Sequence, residues 1–214
     1  MNLIDIQCKV QAWLYEIKKW HRKYSCKKVS TPQKWRKPAA GRMKVNFDGA
    51  WDKRHDQGGI GVVVREANGN FVVAMARHVE GIKSPTLAEC MAARAAAAFA
   101  QRWVGAQVEL EGDALLMVVA LQWDSVANMG QFGQVLDDTH QLMDNIPQGR
   151  ASFCTWEANN VAHRLASNST GFHTAAAVFR GGGALHDGRK MAAEFADQAA
   201  KEELEAEFLL GLCW

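Results

Sequence analysis

A mixed α/β domain, with a five-stranded sheet flanked by helices, is predicted from three observations. Three β-rich runs follow one another before the first helix. After it, strand and helix patterns alternate. The apolar spacing changes between a period of two and a helical stripe as they do so. Consecutive strands make an antiparallel meander, whereas a strand reached through a helix lies parallel to its neighbour, so the sheet has both kinds of pairing. The composition can supply the core: 48% of the 214 residues are hydrophobic and 22% charged, with eight Trp and nine Phe.

The elements follow in order. Met43, Val45 and Phe47 alternate with Lys44, Asn46 and Asp48, a half-polar strand with Asp48 on its polar side. Ile60 to Arg65 and Phe71 to Val79 are β-rich and joined through Asn68-Gly69, a hairpin signal because both residues tolerate positive φ. Ser84-Pro85 offers an N-cap and a first-turn proline. The helix after it puts Ala88, Met91, Ala92, Ala95, Phe99 and Trp103 on one stripe. Val108 and Leu110 then oppose Glu109, Glu111 and Asp113 in a strand. Leu115 to Leu121 and about Gln131 to Asn145 read as helices, Ser152 to Trp156 as a short strand, and Asn159 to Ala166 as a closing helix.

Three zones emerge. Residues 1–40 combine an amphipathic helix (Ile6, Val10, Trp13, Leu14, Ile17) with a basic linker, and 41–170 hold the α/β pattern. Residues 171–214 are Gly- and Ala-rich, with a helix predicted from about Arg189 to Leu210. Between Glu16 and Asp48 there are eleven basic residues and no acid, while the tail from Asp187 carries a net −4. A basic arm able to meet phosphates and an acidic appendage are one reading, two solvated flanks the other. Trp20, Tyr24 and Trp35, interleaved with the arm, are compatible with stacking on unpaired bases or with a plain tether.

Several function classes drop out. No stretch reaches the roughly 18 apolar residues of a membrane span, and Met1-Asn2-Leu3-Ile4-Asp5 does not begin a secretory signal. Five cysteines without a C-x-x-C pair argue against a disulfide framework or zinc module, so an intracellular location, nuclear or cytoplasmic, is expected. Gly59-x-Gly61 lacks the third glycine of a dinucleotide fingerprint. Asp137-Asp138-Thr139-His140 resembles a metal cluster only on paper, since neighbours on a helix point in different directions.

A right-handed crossover would set the strand ending at Asp113 parallel to the strand of Asp48, with Glu89 on the intervening helix. Three carboxylates gathered there repel one another, and divalent cations with oxygen ligands relieve that cost. Two such ions, roughly 3.5–4 Å apart, would suit phosphodiester cleavage. Glu109 and Glu111 share Asp113's parity and are expected to be solvated or to support the ligands.

The motifs Val45-Asn46-Phe47-Asp48-Gly49-Ala50, Gly58-Gly59-Ile60-Gly61-Val62-Val63-Val64-Arg65, Ala88-Glu89-Cys90, Glu111-Gly112-Asp113 and Glu157-Ala158-Asn159-Asn160-Val161-Ala162-His163-Arg164-Leu165-Ala166 occur in this order. Together they resemble a type 1 ribonuclease H domain in its plant reverse-transcriptase-like, non-LTR retroelement-derived form, from about Trp35 to Ser167. The resemblance implies a ribonuclease H-like fold, a divalent metal (Mg²⁺, or Mn²⁺) and hydrolysis of RNA in RNA–DNA hybrids. It assigns Asp48, Glu89 and Asp113 as metal-binding, catalytic acids. His163 falls where the family has a fourth acid, and Phe153 near its mobile histidine. A neutral imidazole lacks the charge and hard oxygen Mg²⁺ prefers, and a protonated one competes with the metal. The Asp52–Asp56 loop, with His55, is one possible source of a substitute. Weak hybrid cleavage is therefore expected, with a catalytically inactive nucleic-acid-binding module, retroelement-derived, as the alternative and a protein-interaction scaffold as a third reading.

Overall fold

The structure, a computed structural model, describes residues 34–103, 105–122, 132–171 and 176–180. The predicted N-terminal helix, Trp20, Tyr24 and the acidic tail helix lie outside the described residues.

Arg42–Asp52 (β1), Gln57–Arg65 (β2) and Phe71–Glu80 (β3) form the antiparallel meander. In the β2–β3 connection Gly69 takes the left-handed backbone (φ 91°), while Asn68 turns its side-chain oxygen to the Asn70 N–H at 2.8 Å. Ser84 caps the next helix, Pro85–Ala100 (α1), by accepting from the Leu87 N–H at 3.1 Å. Such a cap is worth about 1 kcal/mol. The buried face of α1 comprises Ala88, Cys90, Ala92, Ala93, Ala96, Ala97, Phe99 and Ala100, leaving Met91 and Ala95 at its margin. The predicted stripe is thus rotated, because a run of alanines suits either side of a helix and marks neither.

Gln107–Gly112 (β4) returns parallel to β1, with Met43 opposite Val108 and Asn46 opposite Glu111. Leu115–Gln122 (α2) and Gly133–Asp144 (α3) lead to Arg150–Phe153 (β5), which pairs parallel with β4. This strand begins two residues before the expected one. Its limit is set by pairing with Glu109 to Gly112, and from Thr155 the chain already turns, Asn159 N donating to the Thr155 carbonyl at 3.1 Å. Asn160–Ser169 (α4) closes the run.

The five expected strands are joined by a sixth, Ala176–Arg180 (β6), antiparallel to β3 with Val73 opposite Arg180. The sheet order is β5-β4-β1-β2-β3-β6. β6 falls in a segment without a strand pattern; the open edge of β3, rather than local alternation, supplies its partner. The domain is also longer at its start than 41–170 implies. Lys44 Nζ donates to the Arg36 carbonyl at 3.0 Å, Trp35 bonds to Asn46, and Pro38 is buried.

Helices cover both faces of the sheet. Val45, Phe47, Ile60, Val62 and Val64 pack with α1, α2 and α3, whereas Val63, Ala74 and Ala76 meet Ala162 and Leu165 of α4. Gly59 and Gly61 share Val63's face. A Cβ at either would overlap the carbonyl oxygen of Ala166 or Ala162, so these glycines exist to let α4 lie against the strand. That accounts for the Gly-x-Gly spacing without a cofactor. No helix among the described residues is long and apolar enough to cross a membrane. Cys90 and Cys154 are buried and unpaired.

Candidate metal centre

The in-step register of β1 and β4 builds the site. Asn46 lies opposite Glu111, so two residues further along Asp48 comes beside Asp113, just past the end of β4. Glu89 reaches the same point from the second turn of α1. Gly49 makes this approach possible, since a Cβ there would overlap the Ala88 carbonyl and come 2.6 Å from the Glu89 nitrogen. The Gly49 N–H in turn donates to the Glu89 carboxylate. One carboxylate oxygen from each of Asp48, Glu89 and Asp113 lies within 4.8 Å of the others.

The cluster is electrostatically unfavourable as it stands. Burial, then the charges of Glu89 and Asp113, push Asp48 from its ordinary 3.8 up to about 9. Burial, then Asp113, pushes Glu89 from 4.5 up to about 8, against the pull of the Gly49 N–H. Glu89 Oε2 is buried without a hydrogen-bond partner. Hard oxygens, mutual repulsion and an orphaned acceptor are the donor set that a divalent cation satisfies, so the residues fit such an ion.

His163 reaches this cluster. On α4, its half-exposed ring places Nδ1 2.9 Å from Asp48 Oδ2. His55, the one possible substitute, and the Asp137–His140 run make their contacts elsewhere. Phe153 lies in β5 opposite Gly112. His55, in the exposed β1–β2 turn, pairs at 2.6 Å with Asp52, which lies four residues beyond Asp48 and so about 13 Å along the strand. Asp138 and His140 diverge, to Arg94 at 3.2 Å and the Ala120 carbonyl at 3.0 Å, and Thr139 is buried.

Behind the acids lies a buried polar network that the strand pattern misrepresents. Lys44, Asn46, Glu109 and Glu111 are not solvated; none is more than 7% exposed. Glu109 accepts from Arg150 at 2.8 Å; burial, the largest single influence, raises its pKa, but the hydrogen bonds to its carboxylate and the charges of Lys44 and Arg150 together outweigh it and lower the pKa. Glu111 accepts from Lys44 at 2.7 Å and from Asn46 at 2.9 Å. Asn159, which sequence reasoning left unassigned, donates to Asp113 Oδ1 at 3.2 Å and to the Phe47 carbonyl at 2.9 Å. The signal was present: a strand between two others, covered on both faces, must pair any polar side chain it carries. Removing one partner of such a buried ion pair costs about 3–5 kcal/mol. Lys44→Met is accordingly expected to lower stability by about that much in urea unfolding, and Lys44→Met/Glu111→Gln to recover part of it.

Residues 46–169 match the family described as reverse transcriptase-like. A comparison with curated protein sequences returned no match. Among solved structures, the RNase H1 of the archaeon Halobacterium salinarum superposes with a TM-score of 0.55 at 24% identity, over 60% of this chain and 97% of that one. The N-terminal RNase H domain of Mycobacterium tuberculosis rv2228c, solved as a fusion with maltose binding protein, gives 0.56 at 15% identity over 73% and 99%. LC11-RNase H1, isolated from compost and solved with an RNA/DNA hybrid, gives 0.52 at 19% over 60% and 96%. These likenesses show the ribonuclease H-like fold. With the family match spanning more than half of its length, the chain belongs to the reverse transcriptase-like family and carries a ribonuclease H-like domain.

Proposed function

We propose that this domain hydrolyses the RNA strand of RNA–DNA hybrids, with Asp48, Glu89 and Asp113 as the ligands of Mg²⁺ or Mn²⁺. The observation that carries the reading is the convergence of three carboxylates from β1, α1 and the end of β4 within 4.8 Å. The RNase H1 neighbours support it, one of them solved with an RNA/DNA hybrid. A divalent ion held there would lower the pKa of a bound water and neutralise charge on the scissile phosphate. Asp48, almost fully buried, anchors the centre, and the less buried Glu89 and Asp113 complete the donor set. The hybrid would be recognised through backbone shape and 2′-hydroxyls. Ten of the eleven basic residues between Glu16 and Asp48, all but the buried Lys44, add charge for the phosphates. A retroelement ancestry and a nuclear or cytoplasmic location belong to the same proposal.

The test is metal-dependent cleavage of an end-labelled hybrid, with Mg²⁺ and Mn²⁺ compared and chelation as the control. His163 weakens the centre in this reading, because its ring takes up Asp48 Oδ2 and adds no hard oxygen. His163→Asp is expected to raise Mg²⁺-supported cleavage about tenfold, equivalent to about 1.4 kcal/mol of barrier. No gain would mean the ring does not limit the metal.

That same His163–Asp48 contact favours a second reading, a nucleic-acid-binding module that has lost catalysis. Hybrid binding that falls steeply with salt, without turnover under either metal, would select it.

A further inference from the structure

A chain of hydrogen bonds runs from the segment before β1 to the Asp113 carboxylate. Trp35 Nε1 lies 2.9 Å from Asn46 Oδ1. An indole N–H only donates, so Asn46 must turn its oxygen to Trp35 and its NH₂ away. That NH₂ donates to Glu111 Oε2 at 2.9 Å and to Asn159 Oδ1 at 3.3 Å. With its oxygen so engaged, Asn159 presents its own NH₂ to the Phe47 carbonyl and to Asp113 Oδ1. The polarity of the relay is set at its ends by an indole that cannot accept and a carboxylate that, ionised, cannot donate.

We propose that Asn159 and Trp35 are positioning residues of the metal centre: the Trp35 indole orients the Asn46 amide, and through it the Asn159 amide that holds Asp113 facing Asp48 and Glu89. The inference rests on the metal-binding reading above and extends it to residues that touch no ion. Asn159 is placed for the task. Its one NH₂ ties the backbone just before Asp48 to the side chain of Asp113, and it is 1% exposed. Asp113, less buried and beyond its strand, would otherwise swing away from the two carboxylates that repel it. Trp35 is itself held: the Arg65 guanidinium stands 4.7 Å from its ring centre and the Lys44 ammonium 5.6 Å. Trp35→Phe therefore removes the N–H while keeping an aromatic ring beneath both cations.

The test is Mn²⁺ titration of the full chain without nucleic acid, read as free Mn²⁺ by electron paramagnetic resonance, beside thermal melting in chelator. Groups that orient a metal ligand are worth roughly 10–100-fold in affinity. Asn159→Ala is expected to weaken Mn²⁺ binding by that range. Trp35→Phe, one step further back, should weaken it by roughly 3–10-fold, with little change in melting. Should Asn159→Ala not fold, Asn159→Ser and Trp35→Phe carry the measurement. Lower melting temperatures with unchanged Mn²⁺ affinity would assign both residues to the fold alone and overturn the proposal. A wild-type chain that takes up no Mn²⁺ would overturn the metal reading itself, and this proposal with it.

Discussion

Asp48→Asn is expected to abolish metal-dependent cleavage of a labelled RNA–DNA hybrid, a loss of about 10³-fold or more. The estimate follows from about 4 kcal/mol of charge stabilisation that a held cation provides and a neutral amide does not anchor. The same substitution has an opposite effect on the metal-free fold. Asp48 and Glu89 bind their protons more tightly folded (about 9 and about 8) than at their ordinary values of 3.8 and 4.5. A carboxyl with a raised folded pKa lends stability that is complete below its unfolded value and is lost as pH climbs through the folded one. In chelator the wild type should therefore lose melting temperature progressively from about pH 4 to about pH 9. Asp48→Asn should flatten that slope and melt higher at the alkaline end. Melting curves at both ends check it; parallel slopes for the two proteins would show that Asp48 does not carry the strain.

Gly61→Val is expected to cost more than about 3 kcal/mol and to leave little folded protein, because domains of this kind have only about 5–15 kcal/mol to lose. A Cβ at Gly61 overlaps the Ala162 carbonyl and comes 2.6 Å from the Ala166 nitrogen, both backbone atoms of α4 that cannot turn aside. Pushing α4 off β2 would also displace His163 from Asp48, and Asn159, which immediately precedes α4, from Asp113. Gly171→Ala is the control: nothing lies within 4 Å of its Cβ, and its stability should stay within about 0.5 kcal/mol of wild type. Circular dichroism and thermal melting separate the two. A Gly61→Val protein that melts like wild type would mean α4 does not need the close approach.

Much of the architecture was legible because it is written in local periodicities. The meander announces itself through alternation and the Asn68-Gly69 turn, and α1 through its Ser84-Pro85 start. The crossover rule alone then pairs β4 with β1, which brings Asp48 and Asp113 together. Where the chain lacks a periodic signal the reading slipped. The alanine run of α1 hid which side is buried, and β5 is placed by its partner strand. β6 needs the open edge of β3 and cannot be seen from residues 176–180 by themselves.

The sequence by itself determined the kind of sheet, the succession of its first five strands along the chain and the three acids, since side-chain alternation and chain handedness are properties of short segments and their succession. The tertiary structure decided what those acids face. That His163 sits against Asp48, that Lys44 and Glu111 are a buried pair, and that Trp35 and Asn159 close a relay onto Asp113 all depend on contacts between residues tens of positions apart. Once α4 covers the polar face of β1, solvent is excluded there. Each donor and acceptor must then find a partner inside the protein, and only the packed fold determines which one.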